Sequence, residues 1–280
     1  MKPAAFKYHR ARTSAEAIEH MSEAGDDARF LAGGQSLVPM MNFRIARPSV
    51  LIDLGGCDNL VGIQRDGDCL RIGAMTRQWD AQMSGLVTGH LPILGQALSH
   101  TGPDTVRNRG TIGGSIAHAY PLAELPCVAV ALDAAIVLES AAGQRTVAAS
   151  EFFVAALTTS IRAGELVREV VFPCRRPSSR YAFLEAGNHA GGSALAIVCG
   201  HAEADANDRL RNVRIAASGI DSKPVRLPRV EAALMAGDDD LLRAYERDLA
   251  ERARHINDAP EDLVGVLVHD VAKALLRGNA

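Results

Sequence analysis

Two short stretches, each with a pair of adjacent glycines, constrain this chain more than anything else in it. The first is Ala32-Gly33-Gly34-Gln35-Ser36-Leu37, the second Thr111-Ile112-Gly113-Gly114-Ser115-Ile116-Ala117-His118. In each, a strand-like segment runs into two glycines, followed by a hydroxyl residue and an apolar one. A residue without Cβ reaches positive φ easily and lets another molecule approach the main chain. Successive N–H groups in such a turn can converge on an anion. Taken singly, either stretch is also the composition of an ordinary tight turn. Taken together, two such turns from distant parts of one chain suit a ligand with two phosphates. Neither is the Gly-x-Gly-x-x-Gly of a dinucleotide fold or the Gly-x-x-x-x-Gly-Lys of a P-loop, so the expected ligand is a diphosphate cofactor held in another way.

The remaining composition narrows the class. The chain has 280 residues and a net charge of −3, room for one large domain or two ordinary ones. No basic patch points to nucleic acid. No apolar run approaches the roughly 18 residues that span a bilayer, and Met1 to Phe6 lacks a leader's apolar core; a cytoplasmic location is the expectation. The five cysteines, Cys57, Cys69, Cys127, Cys174 and Cys199, are dispersed with no Cys-x-x-Cys pair. That argues against zinc or iron–sulfur ligation and against a disulfide framework. The histidines show no His-x-x-x-His spacing, so no metal site is expected here and a redox metal would belong to another polypeptide.

Read in order, the chain predicts a strand at Phe6 to His9 and a capping box at Thr13-Ser14-Ala15-Glu16 that opens a helix ending near Gly25. Strands are expected at Arg29 to Leu31, Ser49 to Leu54, Leu60 to Ile63 and Cys69 to Ile72. Thr76 is expected to cap a helix through Trp79 and Met83, and Pro92 to start another reaching Ser99. After the second glycine stretch come a helix over 121–132, strands at Ala135 to Glu139 and Arg145 to Val147, a short segment capped by Ser150, and a strand from Leu166 to Phe172. Cys174 to Ser179 reads as a linker. Beyond it, strands at Arg180 to Leu184, Ser193 to Glu203 and Leu210 to Ser218 precede helices at Arg229 to Ala236, Asp239 to Arg254 and Glu261 to Leu276. Mixed elements followed by strands and then helices give an α+β protein with a boundary near 176/177.

The longer context of the two stretches carries a resemblance. Leu31-Ala32-Gly33-Gly34-Gln35-Ser36-Leu37-Val38-Pro39-Met40-Met41-Asn42 and Val106-Arg107-Asn108-Arg109-Gly110-Thr111-Ile112-Gly113-Gly114-Ser115-Ile116-Ala117-His118, continuing through Pro121 to Pro126, resemble the FAD-binding medium subunit of molybdenum hydroxylases, the carbon monoxide dehydrogenase and xanthine dehydrogenase group. The resemblance covers essentially the whole chain. It implies a two-part flavin-binding domain of the vanillyl-alcohol oxidase (PCMH) type over 1–176. A smaller domain over 177–280, with a three-stranded sheet and a helical bundle, would follow. It implies FAD as cofactor, with molybdopterin on a large partner subunit and iron–sulfur clusters on a small one, assembled as a dimer of heterotrimers. Electrons would reach FAD from the clusters and leave to an external acceptor, with no residue of this chain touching the organic substrate.

The resemblance places Leu31, Ala32, Gly33, Gly34, Gln35, Ser36 and Leu37, and Gly110, Thr111, Gly113, Gly114, Ser115 and Ala117, around the cofactor. The glycines would present N–H groups and Ser36, Thr111 and Ser115 hydroxyls, although Ser36 and Ser115 also suit local turn capping. Thr101 and Gly102 would lie near the isoalloxazine. Glu124 aligns with an acidic residue that meets the cofactor in relatives, and equally suits the first turn of a helix. Leu166 matches a segment packed on the cofactor and equally a core strand. Arg107 and Arg109 suit a phosphate or a solvated turn; His118 suits the flavin or the core. Two departures stand out. His118-Ala119-Tyr120-Pro121 replaces the family's His-Ala-Asp-Pro, and Leu184-Glu185-Ala186-Gly187-Asn188-His189 carries no cation where relatives carry lysine and arginine. Ala190 to Ser193 would form a lid beside the ring. The departures leave room for a flavin-free structural subunit, and the fold type for a stand-alone flavin oxidase. Tyr120→Asp should leave folding intact and change flavin affinity or potential modestly, since one polar contact changes; thermal melting and flavin titration check this, and loss of folding would show Tyr120 to be a packing residue.

Overall fold

The computed structural model of the chain describes residues 2–187, 194–238, 240–250 and 261–278. Its first layer contains strand β1 (Lys7–Arg10), helix α1 (Ser14–Ala24), strand β2 (Ala28–Leu31), helix α2 (Leu37–Asn42) and strand β3 (Val50–Asp53). The sheet is parallel, with β3 between β1 and β2. Thr13 caps α1 by accepting the Glu16 N–H at 3.2 Å, and the Glu16 carboxylate reaches back to the Arg12 N–H at 2.8 Å. Ala17 and Ile18 of α1 pack on Ala28, Ile52 and Leu54 in a small core. Parallel strands need a crossover connection, and α1 provides it while covering β2 and β3.

The second layer begins with β4 (Ile63–Asp66) and β5 (Cys69–Gly73). It continues through α3 (Gln78–Met83), α4 (Gly85–His90), α5 (Pro92–His100), α6 (Asp104–Arg107), α7 (Ile112–His118) and α8 (Glu124–Ala131). Strands β6 (Ala135–Ser140) and β7 (Gly143–Ala148), helix α9 (Ala149–Phe152), the ribbon β8 (Phe153–Ala155) and β9 (Thr158–Thr159), and β10 (Leu166–Pro173) complete it. Five strands form an antiparallel sheet in the order β4-β5-β10-β6-β7. Several expectations are corrected here. Asp58–Leu60 is a 3-10 turn, and the strand starts only after Gly62, whose φ of +129° breaks the extended run. Thr76 caps no helix; its hydroxyl is held by the backbone N and O of Gly62, both at 3.0 Å. The helix expected over 121–132 starts at Glu124, because the preceding helix ends in a left-handed Ala119 at φ +49° and a turn follows. Pro126 is tolerated because it sits in the first turn, where its missing N–H costs no helix bond. Ser150 lies inside α9, which Ala148 precedes as N-cap. Helix α4 escapes the sequence reading because two of its residues, Gly85 and Gly89, are poor helix formers.

In the third layer β11 (Ser179–Gly187), β12 (Ala194–Ala204) and β13 (Leu210–Ser218) form an antiparallel meander. A two-residue strand, β14 (Val225–Arg226), extends it at the edge. Helices α10 (Pro228–Ala236), α11 (Leu241–Ala250) and α12 (Glu261–Arg277) follow. The lid expected at Ala190 to Ser193, and the ends of the helix expected over 239–254, lie outside the described residues. Alternation along β11 separates two cores. Tyr181 and Phe183 face the core built on α5 and α8, whereas Ala182, Leu184 and Ala186 face the one built on α10 and α12. A sheet covered on both faces has no reason to alternate polar and apolar residues, which is why β12 is buried almost throughout. The core of Leu94, Leu98, Leu125 and Val128 continues across the linker to Phe183, Ile197 and Cys199. Ion pairs cross it as well: Asp133 meets Arg214 at 2.5 Å and Arg226 at 2.8 Å.

His201 on β12 is buried, its Nδ1 lacks a hydrogen-bond partner, and its ring rests against Tyr181 at 5.1 Å. Burial, and then the charge of Arg214, push its pKa from 6.5 down to about 4. The unfolded chain therefore binds this proton first as pH falls, so stability is full above the ordinary histidine pKa and is lost between there and the folded value. By pH 5 the loss from this group should be about 2 kcal/mol. Urea unfolding at pH 7 and pH 5 should show that His201→Phe keeps this increment; an equal loss in both proteins would contradict it.

Candidate functional site

The first glycine stretch leaves the carboxyl end of β2 in the parallel sheet, the edge where open parallel sheets expose their crevices. A hollow of about 480 Å³ opens there, lined by Tyr8, Leu31, Ala32, Gly33, Gly34, Gln35, Val38, Pro39, Asp53 and Arg109. Gly34 has φ +75°, a conformation that penalises any side chain. Among the described residues, the N–H groups of Gly33, Gly34, Gln35 and Ser36 donate to no acceptor. Ser36 precedes α2 but makes no side-chain cap bond. Four successive donors are thus left in this loop, three of them on residues that line the hollow, and buried amides normally have partners. The Gln35 side-chain amide folds back on the Gly33 carbonyl at 3.3 Å. Tyr8 donates its hydroxyl to Asp53 across the mouth.

The second stretch behaves differently, which corrects the expectation that Gly113 and Gly114 present free N–H groups. Both lie in the first turn of α7. The Gly113 N–H goes to Ala74 O at 2.8 Å and the Gly114 N–H to Thr111 Oγ1 at 3.0 Å. Ile112 and Ser115 are likewise engaged, with Thr76 O and Thr111 O. Thr111 is the N-cap, its hydroxyl oxygen taken up by the helix. The glycines serve close packing instead. A Cβ on Gly113 would fall 2.4 Å from Ala74 Cβ, one on Gly110 2.4 Å from Gln78 Oε1, and one on Gly33 2.2 Å from the carbonyl oxygen of Arg109. Gly114 would present its Cβ 3.5 Å from that of Ala32. The two stretches are therefore brought together, as expected, with one exposing its donors and the other bracing it.

The arginines divide in the same way. Arg107 is buried, binds the carbonyls of Thr101 and Gly102 and the carboxylate of Asp104, and lies 5.9 Å above the Trp79 ring. Arg109 lines the hollow, and its carbonyl accepts from the Arg77 guanidinium. Burial and the neighbouring charge of Arg109 lower the Arg77 pKa. Thr101, Gly102 and Glu124 form a second group, in which the Thr101 hydroxyl meets Glu124 Oε2 at 3.0 Å. Ser115 is half-buried and Ala117 exposed. Leu166 is buried in the core of the first layer with Leu60 and Met75, so its side chain packs in the core. The His118 ring stacks with Tyr120 at 6.5 Å, and burial lowers its pKa.

Residues 4–175 match the family described as the FAD binding domain in molybdopterin dehydrogenase. The chain belongs to this family. Its cofactor is FAD, and it is an oxidoreductase subunit. The chain is 37% identical over 253 residues to the 6-hydroxypseudooxynicotine dehydrogenase complex subunit alpha of Paenarthrobacter nicotinovorans, covering 90% of this chain and 84% of the other. It is 33% identical to the carbon monoxide dehydrogenase medium chain of Hydrogenophaga pseudoflava, over 98% of this chain and 94% of that one. Its fold matches a chain of the carbon monoxide dehydrogenase solved from H. pseudoflava with a TM-score of 0.95 at 32% identity, covering 100% of both. This α+β architecture is thus that of an FAD-binding medium subunit.

An FAD diphosphate fits the hollow by the chemistry of its donors, the unpaired amides of the Gly33 to Ser36 run with Arg109 in the same lining. Tyr8 and Asp53 line the same hollow and were not singled out from the sequence, because nothing local reveals that β1 and β3 flank one crevice. Gly33→Ala and Thr111→Val separate the two roles. The first drives a methyl into the Arg109 backbone and should lower FAD affinity roughly tenfold or more, equivalent to about 1.4 kcal/mol. The second removes a cap and should cost about 1 kcal/mol of stability. FAD titration and urea unfolding of both variants check this; full FAD affinity in folded Gly33→Ala would contradict it.

Proposed function

We propose that this chain is the electron-carrying flavoprotein subunit of a multi-subunit molybdenum hydroxylase, with 1–176 as the flavin-binding part and 177–280 as a smaller C-terminal domain. Bound FAD would supply the redox chemistry, carrying electrons from iron–sulfur clusters on a small partner to an external acceptor, while the substrate is oxidised at a molybdopterin centre on a large partner. The chain's own part is binding and orientation. Leu31 to Leu37 would hold the diphosphate through the Gly33 to Ser36 amides, with Arg109 balancing its charge. Gly110 to Ser115 and Ala117 would form the facing wall, and Ser115 would be its free hydroxyl. Thr101, Gly102 and Glu124 would border the isoalloxazine, and Leu166 would support that wall from the core beneath.

The observation that carries this reading is the run of unpaired amides at Gly33 to Ser36, set against Arg109 within the family's matching region. Partner subunits are supported by the names of the relatives, a complex subunit and a medium chain. Exposed Phe43 and Ile45 just after α2, 65% and 72% accessible, suit an interface. A dimer of heterotrimers in the cytoplasm is the assembly expected from the resemblance; no helix among the described residues is long and apolar enough to cross a membrane.

The isolated chain should bind FAD, pass electrons from an artificial reductant to a dye, and oxidise no organic substrate. Adding molybdopterin and iron–sulfur partners should restore substrate oxidation. With a chain stripped of FAD, substrate should still reduce molybdenum and the clusters while the acceptor stays oxidised. Substrate turnover by this chain alone, or undiminished acceptor reduction by the FAD-free complex, would overturn the proposal.

A further inference from the structure

Strand β11 places a carboxylate where its pattern calls for an apolar residue. Tyr181, Phe183 and Glu185 share one face of the strand, and Phe183 is part of the core under α5 and α8. Glu185 follows it into that face. Its side chain is 8% exposed, and Oε2 is buried without a hydrogen-bond partner. Glu124, which opens α8, is itself 8% exposed, with the hydroxyl of Thr101, the residue after His100, on its Oε2. An unpartnered carboxylate oxygen in such a place is costly if ionised and far less so as a neutral acid.

Among the described residues, few groups face this pair. From α5 comes His100, whose Nδ1 lies 4.0 Å from Glu185 Oε2 and whose ring packs on Phe183 at 5.3 Å. Gln96 of the same helix donates to the Phe183 carbonyl. From α8 comes Glu124. On β12 the residue opposite Glu185 is Ile197, which is uncharged. The guanidinium of Arg107 on α6, which reaches the Thr101 carbonyl, is committed there and to the Gly102 carbonyl and Asp104. No lysine or arginine is therefore paired with either carboxylate among the described residues. Burial, and then the charge of Glu124, push the Glu185 pKa up to about 7, and burial raises that of Glu124 as well.

We propose that Glu185, buried without a lysine or arginine partner in a pocket it shares with Glu124 around His100 and Thr101, carries one exchangeable proton, and that the two carboxyl groups act as a redox-linked proton site for the cofactor. The second half rests on the reading above, in which Thr101 and Glu124 border the isoalloxazine. Electrons arriving at a group beside the pair add negative charge, which raises its proton affinity. One proton then enters from water as the pair passes from carboxylate–carboxylate to carboxylate–carboxylic acid, and it returns to water when the electrons leave. No bond other than O–H forms or breaks. The pair would thus offset part of the charge that arriving electrons bring.

Two measurements test it. In the FAD-free chain, carbon-13 NMR of labelled glutamate should show one carboxyl titrating near pH 7. That titration should vanish in Glu185→Gln, an isosteric change, and move toward the ordinary carboxylate range in Glu124→Gln. Ordinary titration of both groups in the wild-type chain would overturn the proton pair. In the FAD-loaded chain, the midpoint potential should vary more steeply with pH between 6 and 8 in the wild type than in Glu185→Gln. Superimposable curves would overturn the redox link while leaving the pair. A wild-type chain that takes up no FAD would overturn the link together with the cofactor reading, and the NMR titration would still decide the pair.

Discussion

The site depends on one close approach, that of the Gly33 backbone to the carbonyl of Arg109. A methyl at Gly33 would fall 2.2 Å from that oxygen, so the two glycine stretches meet main chain to main chain. Everything else in the hollow follows from that contact. It joins the turn that carries Arg109 to the end of β2, where four amides are left unpaired, and lets Ala32 lie against Gly114. Backbone packed this tightly is rigid, and rigid donors cost little ordering when an anion arrives. The second stretch is held in turn by Ala74, Thr76 and Gln78, through hydrogen bonds from Gly113 and Ile112 and to Gly110. The antiparallel sheet beneath thus sets the position of a loop in the parallel one.

This division of labour gives the paired glycines two meanings. Gly33 and Gly113 are small because backbone or a neighbouring residue occupies the space a side chain would need; Gly34 is glycine because its φ is positive. Only the first stretch leaves donors free. A diphosphate bound there would be held by amides of one loop and screened by Arg109, while the facing helix α7 contributes shape and the Ser115 hydroxyl.

Much of this was legible in the sequence. The two stretches, their pairing, the α+β class and most strands could be read because glycine pairs, capping boxes and alternation are local signals. Thr13 and Glu16 cap α1 as read, with the return bond shifted to Arg12. What stayed hidden was non-local. Nothing near Gly113 reveals that Ala74 takes its N–H, and nothing near Tyr8 or Asp53 reveals that β1 and β3 flank β2's crevice. Thr76 looks like a cap because the hydroxyl precedes a helix, yet Gly62, just before β4, claims it. The sequence ends its strand at Leu184, so the burial of Glu185 shows only once β11 is known to run to Gly187 and to be covered on both faces.

The central claim is that FAD is gripped by the amides of one stretch while the other only braces them. Amide hydrogen exchange, followed by mass spectrometry with and without FAD, tests it most directly. Binding should slow exchange strongly at Gly33 to Ser36 and leave Gly113 and Gly114, already bonded within the protein, nearly unchanged. Unaltered exchange at Gly33 to Ser36, with new protection confined to Gly113 and Gly114, would contradict the account.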